Sequence, residues 1–288
     1  MRPRQPLPAH VPRAFSTGSA AERGVSAKRL RAPDVAHPFH GVNALSDVDP
    51  TEAYRVRMLE GQFFSHHTAA RIYGIPLERE PATVHVAVVA PRTPPRAAGV
   101  TGHRITDEVD RGELPDGTPI CAAAEVWCQL GGLVRVSDLV AAADHLIGAR
   151  ARARLASLED VFSTSLRYRG RRGSRDRAWA LSKARWGSDS RPESLLRLLV
   201  EPLVAGPVLV NQPIDIDGRA LHPDPMLPSK RLLLEYEGDH HRVERDQRND
   251  DLARHVEAGW RVLRVTAHHL FAEPEALARK VRNVPDFV

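Results

Sequence analysis

The run Asp224-Pro-Met-Leu-Pro228-Ser-Lys-Arg231-Leu-Leu-Leu-Glu235-Tyr-Glu237-Gly-Asp-His-His241 decides how this chain is read. Three leucines in a row, with Pro228 and Ser229 before them and Gly238 after, describe a short buried strand over Arg231 to Glu237. Side chains alternate faces along a strand, so Glu235 and Glu237 point the same way and Tyr236 points opposite. Asp224 arrives from the preceding segment. Three carboxylates gathered at one sheet edge repel one another, and a cation relieves that repulsion. Hard oxygen ligands of this kind suit magnesium or manganese. The plainer reading is a solvated Glu-x-Glu strand end with His240 and His241 on a loop surface.

The flanks extend the pattern. Ser190 and Pro192 open a helix over Glu193 to Glu201, with Glu193 in the first turn where the helix dipole favours a carboxylate. Pro207 to Ile214 is expected as a strand, Asp217-Gly218 as a hairpin turn, and Arg219 to Asp224 as the returning strand. Arg242 to Ala258 reads as a charged helix ended by Gly259. Trp260 to Val265 reads as a strand and Pro274 to Val281 as a last helix. The order is αβββαβα, a mixed sheet flanked by helices.

Here the residues resemble a known family. Ser190-Arg-Pro-Glu193-Ser with Arg197, Pro223-Asp224, Pro228, Glu235-Tyr-Glu237-Gly with His241-Arg242, Asp251-Leu-Ala-Arg254 and Gly259-Trp-Arg-Val-Leu-Arg-Val-Thr266 together are similar to the PD-(D/E)xK nuclease superfamily. The likeness is to its very-short-patch-repair-like branch and, within that, to a bacterial domain of unknown function. The resemblance implies a restriction-endonuclease-like fold in which Asp224 and Glu235 hold Mg2+ or Mn2+. It implies that Glu193 acts through the metal or its water. Glu237 stands where the superfamily at large has Lys and the branch has Asp. His241 matches the branch's downstream histidine, which would position water or protonate the leaving oxygen. Arg242, Arg248 and Arg254 would contact the DNA backbone, although Asp251 and Arg254 are also spaced for an intrahelical ion pair. The chain departs from the branch at Pro225, which removes a ladder donor, and at Glu237, one methylene longer than Asp.

Composition sets the wider bounds. The 288 residues are 42% hydrophobic and 27% charged, with a net charge of +5. A pI near 9.6 favours an anionic partner, nucleic acid above all. Cys121 and Cys128 have no partner pair, which argues against a zinc site and for a reduced, cytoplasmic setting. No run approaches the roughly 18 to 20 apolar residues of a membrane helix, and the first residues lack the apolar stretch of a secretory signal.

The front of the chain reads differently. Within residues 1–48, Ser16 or Thr17 caps a short helix that Gly24 ends, Ser26 caps a second that Pro33 closes, and His37 to Val42 suits a wing. Lys28, Arg29 and Arg31 lie on the second helix, fit for a DNA groove or phosphates. A plain bundle with a solvated basic helix is the other reading. The stretch resembles the winged helix of abortive-infection type IV antitoxins. Residues 49–160 form a mixed α+β region similar to the one behind that winged helix in antitoxin-like actinobacterial proteins. Helices are expected over Thr51 to Leu59, Phe64 to Gly74, Ala122 to Leu130 and Val136 to Ile147, and strands over Thr83 to Val89, Val100 to Ile105 and Thr118 to Cys121. His66, His67, His85 and His103 match no familiar ligand spacing, and Asp144-His145 reads as structural. Residues 161–190 form a basic connector, loop-like around Gly170 and Gly173 and expected to be helical over Ala178 to Trp186, where Arg171 and Arg172 would add phosphate contacts. Residues 191–288 are the nuclease-like domain.

The reading is thus an α/β (α+β multidomain) protein and a divalent-metal-dependent DNA endonuclease with an N-terminal DNA-binding module. The alternative is a DNA-binding antitoxin-type regulator with an inactive nuclease-like domain, and an RNA-cleaving toxin is a third reading. The partner is DNA, and a protein from the same operon is compatible with either leading reading.

Overall fold

The computed structural model describes residues 6–106, 109–148, 155–188, 190–216, 219–221, 225–237, 256 and 258–287. The protein is mixed α/β with several sheets. It divides into two compact units, Met1–Gly74 with Arg79–Gln129, and Ile75–Glu78 with Leu130–Val288. This division is coarser than the four segments drawn from sequence and stands beside them. Among the described residues no helix is long and apolar enough to cross a membrane.

The first unit opens with β1 (Ala14–Ser16), α1 (Thr17–Ala20), α2 (Ala27–Leu30), β2 (Val35–Phe39) and β3 (Val42–Leu45). Each helix is a single turn held by its cap. Ser16 Oγ accepts from Ser19 N at 3.1 Å and Ser26 Oγ accepts from Arg29 N at 3.2 Å. Gly24 between them sits at φ +71°, a left-handed conformation that favours glycine. The three strands form an antiparallel sheet in the order β1-β3-β2, and Phe15, Ala20 and Val25 bury a small core against it.

Next come α3 (Pro50–Arg55), β4 (Gln62–Phe64), α4 (His66–Ile72), β5 (Val84–Val89), β6 (Val100–Ile105), β7 (Arg111–Glu113), β8 (Pro119–Cys121) and α5 (Ala123–Leu130). The strands make a five-stranded sheet ordered β6-β5-β4-β8-β7. The β-branched run of β5 is buried from Val84 to Val88, as expected of an inner strand covered on both faces. It pairs in parallel with β6, His85 opposite Thr101 and Ala87 opposite His103. At Gly102 a Cβ would stand 2.2 Å from the Pro95 carbonyl oxygen, so this close approach of chain to strand requires glycine. β4 and β7 carry no alternating pattern, being three residues each, and sequence periodicity does not reveal them.

The second unit contains α6 (Val136–Ile147), α7 (Leu158–Arg167), α8 (Ser174–Lys183), α9 (Arg191–Val200), β9 (Ile214–Ile216), β10 (Arg219–Leu221), β11 (Met226–Leu227), β12 (Leu232–Glu237), β13 (Arg261–Thr266) and α10 (Pro274–Asn283). Most of the expected basic connector is helical. α7 is opened by a capping box between Ser157 and Asp160. The buried Arg177 then ties the α7–α8 turn, donating to the carbonyls of Tyr168 at 2.7 Å and Arg172 at 2.9 Å.

The C-terminal sheet has the order β11-β12-β13, with β11 antiparallel and β13 parallel to β12. Its core face carries Leu232 and Leu234, packed with Leu196, Val200, Val265, Leu270, Leu277 and Val281. The strand expected over Pro207 to Ile214 is reduced to one bridge, Leu209 with Met226, and β9 pairs with β10 in a separate hairpin. The reason is local. Pro207 and Pro213 lack ladder donors, and Asn211 between them turns left-handed at φ +49°. Most of the expected helix Arg242 to Ala258 lies outside the described residues.

Candidate functional site

Glu235 is the best-placed of the expected acids. It lies on the central strand β12, is only 6% exposed, and sits opposite Arg264 of β13. With Leu233 and Glu237 it occupies the sheet face away from the leucine core. A carboxylate held this far from water has to be compensated by donors or a cation. Glu237, two residues on, reaches the strand end, where Arg264 Nη1 donates to its Oε1 at 3.3 Å. Those two side chains are 43% and 53% exposed, so their attraction is weak.

The antiparallel strand feeds into the same place. Pro225 offers its carbonyl to Leu234 N at 2.9 Å, and Met226 and Leu227 pair with Leu233 and Leu232. The missing donor of Pro225 therefore does not stop β11 from joining β12. Asp224, His241, Arg242, Arg248 and Arg254, with Asp251, lie outside the described residues.

Glu193 opens α9. Ser190 Oγ donates to its Oε1 at 2.8 Å and accepts from its backbone N–H at 3.4 Å, which makes a capping pair. α9 itself is aligned by two ion pairs in register with α6: Arg191 with Asp138 at 2.7 Å, and Arg197 with Asp144 at 2.9 Å. Both partners of the second pair are essentially unexposed, 0% and 1%. Asp144 also accepts from Ser194 Oγ at 2.7 Å and Arg185 N at 2.6 Å. Arg197 reaches on to Glu201, which Lys183 also meets. Burial raises the Asp144 carboxyl while Arg197 and these donors lower it, with burial the larger. The structural reading of Asp144 from sequence fits these contacts.

The expected nucleic-acid contacts stand apart from one another in the chain. Lys28 and Arg31 are exposed. Arg29 is committed to Asp34 through two hydrogen bonds of 2.6 and 3.0 Å. Arg171 and Arg172 are exposed, with the Arg171 guanidinium 4.8 Å from the Tyr168 ring centre.

A constellation that spacing could not announce lies in the first unit. α4 brings His66 and His67, β5 brings His85 and β6 brings His103. The His103 Nε2 and His85 Nδ1 atoms are 3.0 Å apart. The His66 ring stacks on His103 with centroids 3.6 Å apart and planes 13° apart, and His67 lies 5.0 Å from His85. His66 takes φ +48°, and its backbone N–H donates to Gln129 Oε1 at 2.9 Å. Burial, then the neighbouring histidines, holds His85 and His103 down at about 4 and His66 well below the usual range. Burial also lowers His67, against the pull of Glu80. The signal is pairing: only the β5–β6 register, absent from any residue spacing, puts residues 85 and 103 on adjoining strands. Cys121 and Cys128 are buried thiols outside any disulfide. Among the described residues no three His, Cys, Asp or Glu side chains converge to hold a metal as they stand.

No family model matches the chain, and no curated protein matches it. Among solved structures it is similar to the RV2827C protein from Mycobacterium tuberculosis, at 18% identity and a TM-score of 0.41, covering 59% of this chain and 72% of that one. A likeness at that level carries no argument about fold or activity.

Proposed function

We propose that the chain is a divalent-metal-dependent DNA endonuclease whose C-terminal sheet carries the site and whose N-terminal region binds DNA. The observation that supports the reading most is Glu235, a buried carboxylate on the central strand β12, with Glu237 on the same face and β11 entering beside it. The described donors there are carboxylate oxygens, which fit magnesium or manganese rather than zinc. Asp224 and Glu235 would hold the ion. Bound there, it would polarise the scissile phosphate and lower the pKa of a water.

The chain's own groups do the rest. Glu193 orients the attacking water from the start of α9, and its carboxylate is held in place by Ser190. His241 protonates the departing oxygen. Lys28, Arg31, Arg171, Arg172, Arg242, Arg248 and Arg254 neutralise phosphates, which makes binding fall with salt.

One observation favours a second reading, a DNA-binding antitoxin-type regulator with an inactive nuclease-like domain. Arg264 donates to Glu237, so a cationic side chain already serves the outer acid. The two readings part in a plasmid-nicking assay at low salt with Mg2+ or Mn2+. The endonuclease reading expects nicking that falls by more than about 100-fold in Glu235→Gln. Wild-type protein that binds DNA but leaves the plasmid intact with either ion would overturn it in favour of the regulator.

A further inference from the structure

We propose that His85 and His103, joined by His67, form a second metal site in this protein, one that takes a transition ion of zinc type through imidazole nitrogens. The site is independent of the carboxylate sheet in residues, ligand atoms and metal class.

The distance is the first argument. Two nitrogens bound to one zinc at about 2.0–2.1 Å stand about 3.3 Å apart at a tetrahedral angle, and about 2.9 Å apart at a right angle. His85 Nδ1 and His103 Nε2 stand 3.0 Å apart, within the span that one ion bridges once the proton they share moves to the outer nitrogen of its own ring and both rings turn towards the ion. The two rings come from paired strands, and their backbones are held by the β5–β6 register. A seat built on strands keeps its geometry better than one built on loops.

The third ring supplies the second argument. His67 Nδ1 is buried and has no hydrogen-bond partner, which costs free energy unless something binds there. Its ring centre is 5.0 Å from that of His85. As the rings stand, three ligand groups do not converge. A turn of His67 about its side-chain torsions is the movement that closes the site, and the orphaned nitrogen is what such closure would satisfy.

The surroundings hold the rings in place and suit a cation. Glu80 pulls electrostatically on His67 and adds negative potential. His66 stacks on His103 and fixes the plane of that ring. Its own Nδ1 is 3.0 Å from Ser65 Oγ, and its left-handed backbone is pinned by Gln129. His66 is therefore a positioning residue, not a ligand.

The test is a titration of the full-length chain with zinc alone, monitored by calorimetry, and with cobalt, monitored by its visible absorption. Both are run in wild type and in Glu235→Gln, so that the carboxylate sheet is not counted. One equivalent bound in both proteins is expected, with a tetrahedral cobalt spectrum. His85→Asn with His103→Asn should weaken zinc binding by more than about 100-fold, and His67→Asn by about 10- to 100-fold. Should the double variant fail to fold, X-ray absorption of the zinc-loaded wild type decides, with two or three imidazole nitrogens expected. No zinc binding by the wild type, binding unchanged in a folded double variant, or a shell of oxygen ligands alone would overturn the proposal.

Discussion

The carboxylate sheet of the second unit and the histidine cluster of the first are opposites in construction. At β12 the acids sit two residues apart on one strand, and the alternation of the chain itself puts Glu235 and Glu237 on one face. At β5 and β6 the histidines are 18 residues apart, and only strand pairing unites them. The first arrangement gathers charge, which demands a hard cation or a paired base. The second gathers neutral rings, whose demand is for a partner to an orphaned nitrogen. Local chemistry can be read from one strand of sequence; chemistry made by register cannot.

The comparison can be broken most sharply at the frame that aligns α9. Arg197→Ala leaves Asp144 buried without its cation, and unfolding by denaturant should show a loss of about 3–5 kcal/mol. A loss below about 1 kcal/mol would mean that the α6–α9 register does not depend on this pair.

The histidine cluster should reveal itself through acid. His85 and His103 are held at about 4 against an ordinary 6.5. Depressed values mean that the folded state resists protonation while the unfolded chain accepts it. Their contribution to stability is therefore complete above pH 6.5 and is lost as pH falls from 6.5 towards 4. Thermal melts across that window should decline in wild type and decline less steeply in the His85→Asn His103→Asn variant. Equal slopes would separate the cluster from the acid response.

Smaller effects sharpen the role of the first-turn acid. Ser190→Ala removes the α9 cap and should cost about 1 kcal/mol. Glu193→Gln keeps a capping side chain, so it should melt close to wild type while losing nicking activity. A Glu193→Gln enzyme that nicks at the wild-type rate would reduce Glu193 to its cap. Smallest of all, Arg264→Ala should change stability by about 0–1 kcal/mol, since both members of that pair are largely in water.

The same distinction governs how much was legible. The apolar runs of β5, β12 and α6, and the caps Ser16, Ser26 and Ser190, are readable because each is a local signal satisfied by its own neighbours. The short strands β4 and β7 were not, because three residues carry no period and their partners supply the reason for their shape. Pro207 to Ile214 looked apolar enough for a strand, yet its prolines and the left-handed Asn211 prevail over propensity. The basic run around Arg171 is a turn, as Gly170 and Gly173 suggest, and what sequence does not show is how it is held: the buried Arg177 guanidinium binds the carbonyls that close the α7–α8 turn. Of the candidate nuclease site, the pairing of Glu235 with Glu237 came from alternation. The engagement of Glu237 with Arg264 needed the parallel register. The histidine cluster needed strand register entirely.

The most direct measurement is a calorimetric titration of Mn2+ into the wild-type chain and into Asp224→Ala. The account predicts binding in the wild type that disappears in the variant, while zinc binding is the same in both. Absence of manganese binding in the wild type, or its persistence in the variant, would contradict a metal-dependent nuclease built on Asp224 and Glu235.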